Sequence, residues 1–249
     1  MKKIFFAFFM TLILSSNVIA NENELSDQPS FFNGSFSALG LLTSQNDILN
    51  KNMELGLEID YHPYDLIDNI LNIRYDYSSI NNKPKNDHTV SRNLFNIDYK
   101  HLHYLTDAYG YYFNLQLDRD ALSDFDYQGK ISLGYAYRYI VQEYFKLNIL
   151  IGPTINLLKD KIHDRFKHTY GGYGELNLTY NISNNIEYIQ KIYYQYIKNT
   201  NSTYGGESKF LFSINNTNLK IEFILGIDAT SEEKLRNSYS TKLGVNYNF

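Results

Sequence analysis

Residues able to do chemistry are plentiful in this 249-residue chain, and their spacing is regular. Acids stand at Glu54, Glu58, Asp60, Asp76, Asp98, Asp118, Glu175 and Glu222. Bases stand at Arg74, Lys100, Lys130, Arg138, Lys146, Lys209, Lys220 and Lys242. Most have an apolar or aromatic neighbour on each side. Charges spaced in this way share one face of a β-strand, opposite an oily face. If the polar faces line an interior, the two signs nearly balance there. Rings of one sign would point to an ion-selective pore. Balanced charge points first to salt bridges and hydrogen bonds, because confined charges must be paired or watered. The candidate lumen charges are Glu58, Arg74, Asp98, Asp118, Lys130, Arg138, Glu175, Lys220 and Glu222.

Other chemistry finds less support. His101 and His103 form an HxH pair on one strand face. A metal site needs a third ligand, and no residue is marked as one, so two polar aromatics at an interface are the simpler reading. His163 and His168 fall in an expected outer loop. Serines are many, but no GxSxG elbow is present and no Ser-His pairing follows from spacing, although such sites can assemble across strands. No Gly-rich phosphate loop or dinucleotide fingerprint is visible. The chain holds no cysteine, which excludes disulfides and thiolate chemistry. No cofactor and no metal are expected, and the chain is not expected to be an enzyme. With a formal net charge of -4, it lacks the basic stripe of a nucleic-acid binder.

The elements carrying these charges repeat along the chain. Met53 to Tyr61 alternates cleanly, with Met53, Leu55, Leu57, Ile59 and Tyr61 facing out. Similar alternation puts Leu71 to Tyr77, Phe95 to Tyr99, Tyr111 to Leu117, Ile131 to Tyr139, Leu147 to Leu157, Leu176 to Tyr180, Phe210 to Ile214 and Leu219 to Ile227 on strands. Ser30 to Leu42 and Ile186 to Ile197 are strands of mixed facing. Pro153 cannot donate to a ladder and marks a bulge or kink beside Gly152. About twelve strands result. Short turns alternate with longer polar connections, roughly Thr43 to Asn52, Ser79 to His88, Asp120 to Asp126, Lys159 to His168 and Ala229 to Asn237. An even strand count with that asymmetry is the pattern of a closed antiparallel transmembrane β-barrel. A soluble sandwich explains alternation too, but not its combination with the two chain ends.

At the front, Lys2 and Lys3 precede the apolar Ile4 to Leu14, and Val18 and Ala20 supply small residues for cleavage. Residues 1–20 read as a signal peptide cleaved after Ala20, leaving residues 21–249 as one barrel domain. The apolar core is well short of the roughly 20 residues of a spanning helix. At the far end, Tyr239 to Phe249 alternates again. Lys242, Gly244, Tyr247 and Phe249 resemble the closing signal of outer-membrane barrels: a polar residue, a glycine, then two aromatics. This implies insertion by the outer-membrane assembly machinery through the last strand. Aromatics make up 16% of the chain and suit the girdles of such barrels, although an AT-rich genome would also enrich Tyr.

Leu117 to Arg138, LDRDALSDFDYQGKISLGYAYR, resembles the family of salt-induced outer membrane proteins of unknown function. The carrying residues are Asp120, Phe125-Asp126-Tyr127, Gly134-Tyr135 and Arg138, with Gly152-Pro153 and the closing Tyr247-Asn248-Phe249. The family's Ser-Gly-Asn-Thr turn is absent; Ser44-Gln45-Asn46-Asp47 stands there instead. The resemblance implies a Gram-negative outer-membrane barrel linked to osmotic or acid stress, and supplies no catalytic residues. A narrow passive pore or stress-related envelope protein is the leading expectation. A lipid-modifying enzyme and a plugged structural or adhesive barrel are the alternatives. Expected partners are outer-membrane lipid, the barrel-insertion machinery and small solutes, with both termini in the periplasm.

Overall fold

The computed structural model of the protein describes residues 31–45, 48–82, 87–121, 125–141, 144–161, 166–198, 202–214, 217–230 and 238–249. The expected signal segment with its cleavage point at Ala20, and the loop residue His163, lie outside them.

Twelve strands follow one another: β1 (Phe31–Gln45), β2 (Ile48–Tyr64), β3 (Ile67–Asn82), β4 (Asp87–Tyr104), β5 (Tyr109–Asp120), β6 (Phe125–Val141), β7 (Phe145–Asp160), β8 (Phe166–Ser183), β9 (Ile186–Ile197), β10 (Thr203–Ser213), β11 (Leu219–Thr230) and β12 (Ser238–Asn248). Each pairs with its neighbour in sequence, and β1 pairs with β12, so the sheet closes on itself. All the pairings are antiparallel. Closure leaves every strand with two partners, which satisfies the backbone within the sheet, as a wall facing lipid must be. We call the end where β1 begins and β12 ends the lower end, and the opposite end the upper.

The alternation of side chains sets which residues point outward. Tyr135 is 78% exposed and Ile151 63% on the outer wall, while their inward neighbours Ser132, Ala136 and Leu150 are buried. The two strands of mixed facing become regular once register is fixed. On β1, Phe32 and Phe36 point outward and Leu39 inward; on β9, Ile192, Tyr194 and Tyr196 point outward, leaving Ile189, Tyr193 and Ile197 inward. An apolar residue on the inner face blurs the period without breaking the strand.

Two expectations need correction. The polar connections at the upper end are shorter than expected, because much of their sequence is strand. Pairing of β1 with β2 runs to Gln45↔Ile48, that of β3 with β4 to Asn82↔Asp87, and β7 with β8 to Lys159↔Phe166. The apolar period ends where the oily surroundings end, but polar residues wet on both faces can keep the hydrogen-bond ladder going. The second correction concerns Pro153. The register of β6 with β7 is the same on both sides of it, Ser132↔Thr154 and Tyr135↔Ile151, so no bulge is present. The strands instead crowd together. A Cβ on Gly134 would lie 2.7 Å from the Gly152 Cα, and one on Gly152 2.7 Å from the Gly134 Cα. Only glycine at both positions permits that approach.

Candidate functional site in the barrel lumen

The inward side chains divide the lumen into two unlike arcs. Along β4 to β9 they are large and packed. Leu102, Tyr104, Tyr112, Ala136, Leu150 and Tyr173 form one buried cluster, with Leu66, Ile70 and Tyr193 against it. All but Leu66, which sits in the turn between β2 and β3, lie on inner strand faces, so this is a core inside the barrel. Arg138 caps it at the lower end. Its guanidinium sits 4.0 Å from the centre of the Tyr104 ring, within the range of a cation–π contact. It also donates to the carbonyls of Asp65 at 3.2 Å and Asp107 at 3.4 Å, tying two lower turns together. Tyr104 donates to Asn148 at 3.4 Å. The Tyr112 hydroxyl has no hydrogen-bond partner among the described residues.

Glu175 on β8 stands at the centre of this arc, 3% exposed. It accepts from Lys100, from Tyr173, and from Asn177 at 2.6 Å, and Lys191 approaches to 3.3 Å. Lys100 belongs to β4, with three strands between it and β8, so the ion pair crosses a chord of the barrel. A carboxylate this buried is stable only with its partners in place. Around it, Asp98 accepts from the Asn114 amide, and Asp118 accepts from Asn96 at 2.5 Å and Gln116 at 2.9 Å. Lys130 lies 4.3 Å from the centre of the Tyr173 ring.

From β10 through β12 and β1 to β2, much of the inner lining is small. Ser37 faces Gly56 and Ser240 faces Gly226 across the ladders. Ser35, Gly205 and Gly244 share that inner surface. Lys209 on β10 pairs with Glu222 on β11 at 2.8 Å, and Lys220 on β11 reaches across β10 to Glu187 on β9 at 3.0 Å. Arg74 on β3 is 3.6 Å from Asp76. Glu58 points into the lumen and is exposed there. Of the nine lumen charges singled out from sequence, all sit on inner strand faces, but they do not form one site. Glu175, Asp98, Asp118 and Lys130 lie in the packed arc, Arg138 caps its lower end, and Glu58, Arg74, Lys220 and Glu222 line the rest.

The residues of the closing signal meet at the β1–β12 seam. Lys242 points inward and bonds Glu54 on β2, with Asp76 on β3 at 3.7 Å, so it reaches past β1. A Cβ at Gly244 would come within 2.0 Å of the Ala38 carbonyl oxygen, so only glycine lets β1 lie that close. Tyr247 and Phe249 point outward, 45% and 53% exposed. Phe249 exchanges backbone hydrogen bonds with Gly34, at 2.8 and 3.1 Å.

Histidine placement is equally specific. His101 and His103 share the outer face near the lower end, where His101 bonds Asn69 and His103 bonds the Tyr111 hydroxyl, at 2.8 and 2.7 Å. His62 bonds Asp68 at 2.8 Å. Sequence reading missed the inner apolar cluster. A signal for it exists in Tyr111-Tyr112-Phe113 and Ile149-Leu150-Ile151, where alternation gives way to unbroken apolar runs.

A closed antiparallel barrel of twelve strands, apolar outside and polar or packed within, defines the outer-membrane β-barrel class. Residues 40–249 match the family described as "Protein of unknown function, DUF481", and the chain belongs to that family. Three solved structures share the fold. The COG4313 outer membrane channel from Pseudomonas putida F1 matches with a TM-score of 0.54 at 11% identity, over 92% of this chain and 100% of that one. The translocator domain of the autotransporter NalP from Neisseria meningitidis matches at 0.50 and 10%, over 99% and 98%. The NanC porin matches at 0.50 and 7%, over 87% and 99%. No curated protein matches the chain. At such identities the likeness is one of fold.

Proposed function

We propose that the protein is a narrow passive pore for small hydrophilic solutes in the outer membrane. One observation carries this reading: the inner lining is uneven. The apolar cluster packs inside the lumen along β4 to β9, whereas the opposite wall alternates small residues such as Ser35, Ser37, Gly56, Gly226 and Ser240 with larger ones such as Leu39, Leu211 and Ile224. A wall with many small residues beside a packed one supports an off-centre aqueous path, in which the exposed Glu58 is wetted. A barrel of twelve strands lies between the eight whose interior side chains fill and the sixteen that hold a wide channel. In this reading residues 1–20 are removed after Ala20, both termini are periplasmic, and Lys242, Gly244, Tyr247 and Phe249 guide insertion. Catalysis has no part in this reading; His62, His101 and His103 bond Asp68, Asn69 and Tyr111. A role in salt or osmotic stress is proposed with it.

The specific observation favouring a plugged structural barrel is the Lys100–Glu175 pair across the lumen. Single-channel recording of the refolded mature protein in a planar bilayer separates the two. The pore gives discrete conductance steps. Silence from a barrel that is demonstrably folded on a heat-modifiability gel means a plug. The same gel tests the assembly residue: Phe249→Ala should lower the folded fraction, and an unchanged yield would remove that role.

A further inference from the structure

We infer that the upper lumen holds a binding recess for a small hydroxylated carboxylate, seated on Lys130. A cavity of about 400 Å³ opens against the packed arc, its wall part apolar, from Leu158 and Ile197, and part polar, from Lys130, Asp118, Asn156 and Gln195 among others. The size falls within the range of about 300–1,000 Å³ usual for small-molecule pockets. All of these side chains lie on inner faces toward the upper ends of β5 to β9. Below them lies the buried cluster of Tyr112, Leu150 and Tyr173.

Lys130 supplies the charge. Glu175, Asp98 and Asp118 on the neighbouring inner faces each hold other donors. Glu175 takes Lys100, Lys191, Tyr173 and Asn177; Asp98 takes Asn114; Asp118 takes Asn96 and Gln116. The ammonium of Lys130 rests instead on the face of Tyr173, whose hydroxyl is anchored on Glu175. One side of the ammonium is thus held by a ring, and Lys130 is itself part of the cavity wall. A ring contact orients a lysine but does not use its hydrogen bonds.

The rest of the lining selects the partner. Gln116, Asn156 and Gln195 carry both donors and acceptors and are already oriented by their neighbours: Gln116 donates to Asp118 at 2.9 Å, Asn156 to Thr169 at 3.5 Å and Gln195 to Asn156 at 2.6 Å. Asp118 at the edge is acceptor only. A bare anion would gain Lys130 but meet Asp118. A neutral polyol would satisfy the amides and leave Lys130 unmatched. A molecule with one carboxylate and several hydroxyls matches both, its hydroxyls donating to Asp118 and the amide oxygens. A cationic solute is disfavoured by Lys130 and by Lys191 beside Glu175. The recess rests on the pore reading only in that water must reach it from the upper end.

The test is isothermal titration of the refolded full barrel in detergent with three probes: gluconate, sorbitol and acetate. Gluconate should bind at least tenfold more tightly than sorbitol, which lacks the carboxylate, and than acetate, which lacks the hydroxyls. Lys130→Met should weaken gluconate at least tenfold in protein that still shows the folded gel band. Gln195→Leu, which keeps Lys130, should weaken it several-fold and covers the case in which the first variant fails to fold. Gluconate binding no better than acetate, or equally well to the folded variants, overturns the proposal. A barrel that is silent in bilayers yet binds gluconate keeps the recess and sinks the pore. A conducting barrel that ignores gluconate does the reverse.

Discussion

The arc from β4 to β9 and the arc from β10 through β12 to β2 are built on the same alternation and closed by the same ladders, yet they treat the lumen in opposite ways. In the first, Tyr104, Tyr112, Leu150 and Tyr173 pack on one another, and Glu175 gathers lysines from β4 and β9. In the second, serines and glycines alternate with larger residues on the wall, the Lys209–Glu222 pair lies along it, and Lys220–Glu187 ties it to β9. A barrel wall is held by backbone hydrogen bonds, which do not depend on what the inner face carries. The inner face is therefore free to be a core on one side and a channel wall on the other. Under the pore reading, stability and passage fall to different strands.

That division can be broken from the packed side first. Glu175→Leu strands Lys100 and Lys191 without their carboxylate, and losing one partner of a buried pair costs about 3–5 kcal/mol. Thermal unfolding in detergent should show the barrel strongly destabilised, and an unmoved transition would mean the lysines find water. The double change Tyr112→Ala and Tyr173→Ala should come next. It empties part of the core, and single-channel conductance should rise several-fold if the packed arc is what narrows the path. From the open side, Ser37→Phe lays a ring over Gly56, the residue opposite it. Conductance should fall by more than half while the folded gel band persists; an equal current would show that solute does not pass there. The smallest effect is expected for Glu58→Gln. An exposed lumen charge changes stability by no more than about 0.5 kcal/mol, but reversal potentials in a salt gradient should shift modestly away from cations.

Much of the fold was legible because lipid imposes a period. Leu55, Leu57 and Ile59 alternate with Gly56 and Glu58 since one face is oily and the other is not, and the count of such stretches gives the twelve strands. The inward placement of Lys130, Arg138 and Glu222 follows from the same rule. The candidate site was less legible, for two physical reasons. Where the lumen is packed, both faces are apolar, so Leu150 between Ile149 and Ile151 carries no period to read. And the pairing of Lys100 with Glu175 depends on the stagger of strands around the ring, which brings together residues 75 apart in sequence. Alternation tells which way a side chain points, not whom it meets. The upper connections misled for a related reason: polar sequence marks the edge of the oily zone, while Gln45↔Ile48 and Asn82↔Asp87 show the pairing continuing beyond it.

The ladders around the ring are unequal in length. Between β1 and β2 the pairing extends from Phe31↔His62 to Gln45↔Ile48, but between β1 and β12 it extends only from the Gly34–Phe249 hydrogen bonds to Gly40↔Leu243. A hoop pulled outward parts at its weakest joint, and here that joint is the seam. Lys242, reaching past β1 to Glu54 and Asp76, acts as a bolt driven across it. The wall therefore has a built-in hatch: amide hydrogens from Ser35 to Gly40 should exchange earlier than those of β6 or β7, and cutting the bolt with Lys242→Met should hasten them further.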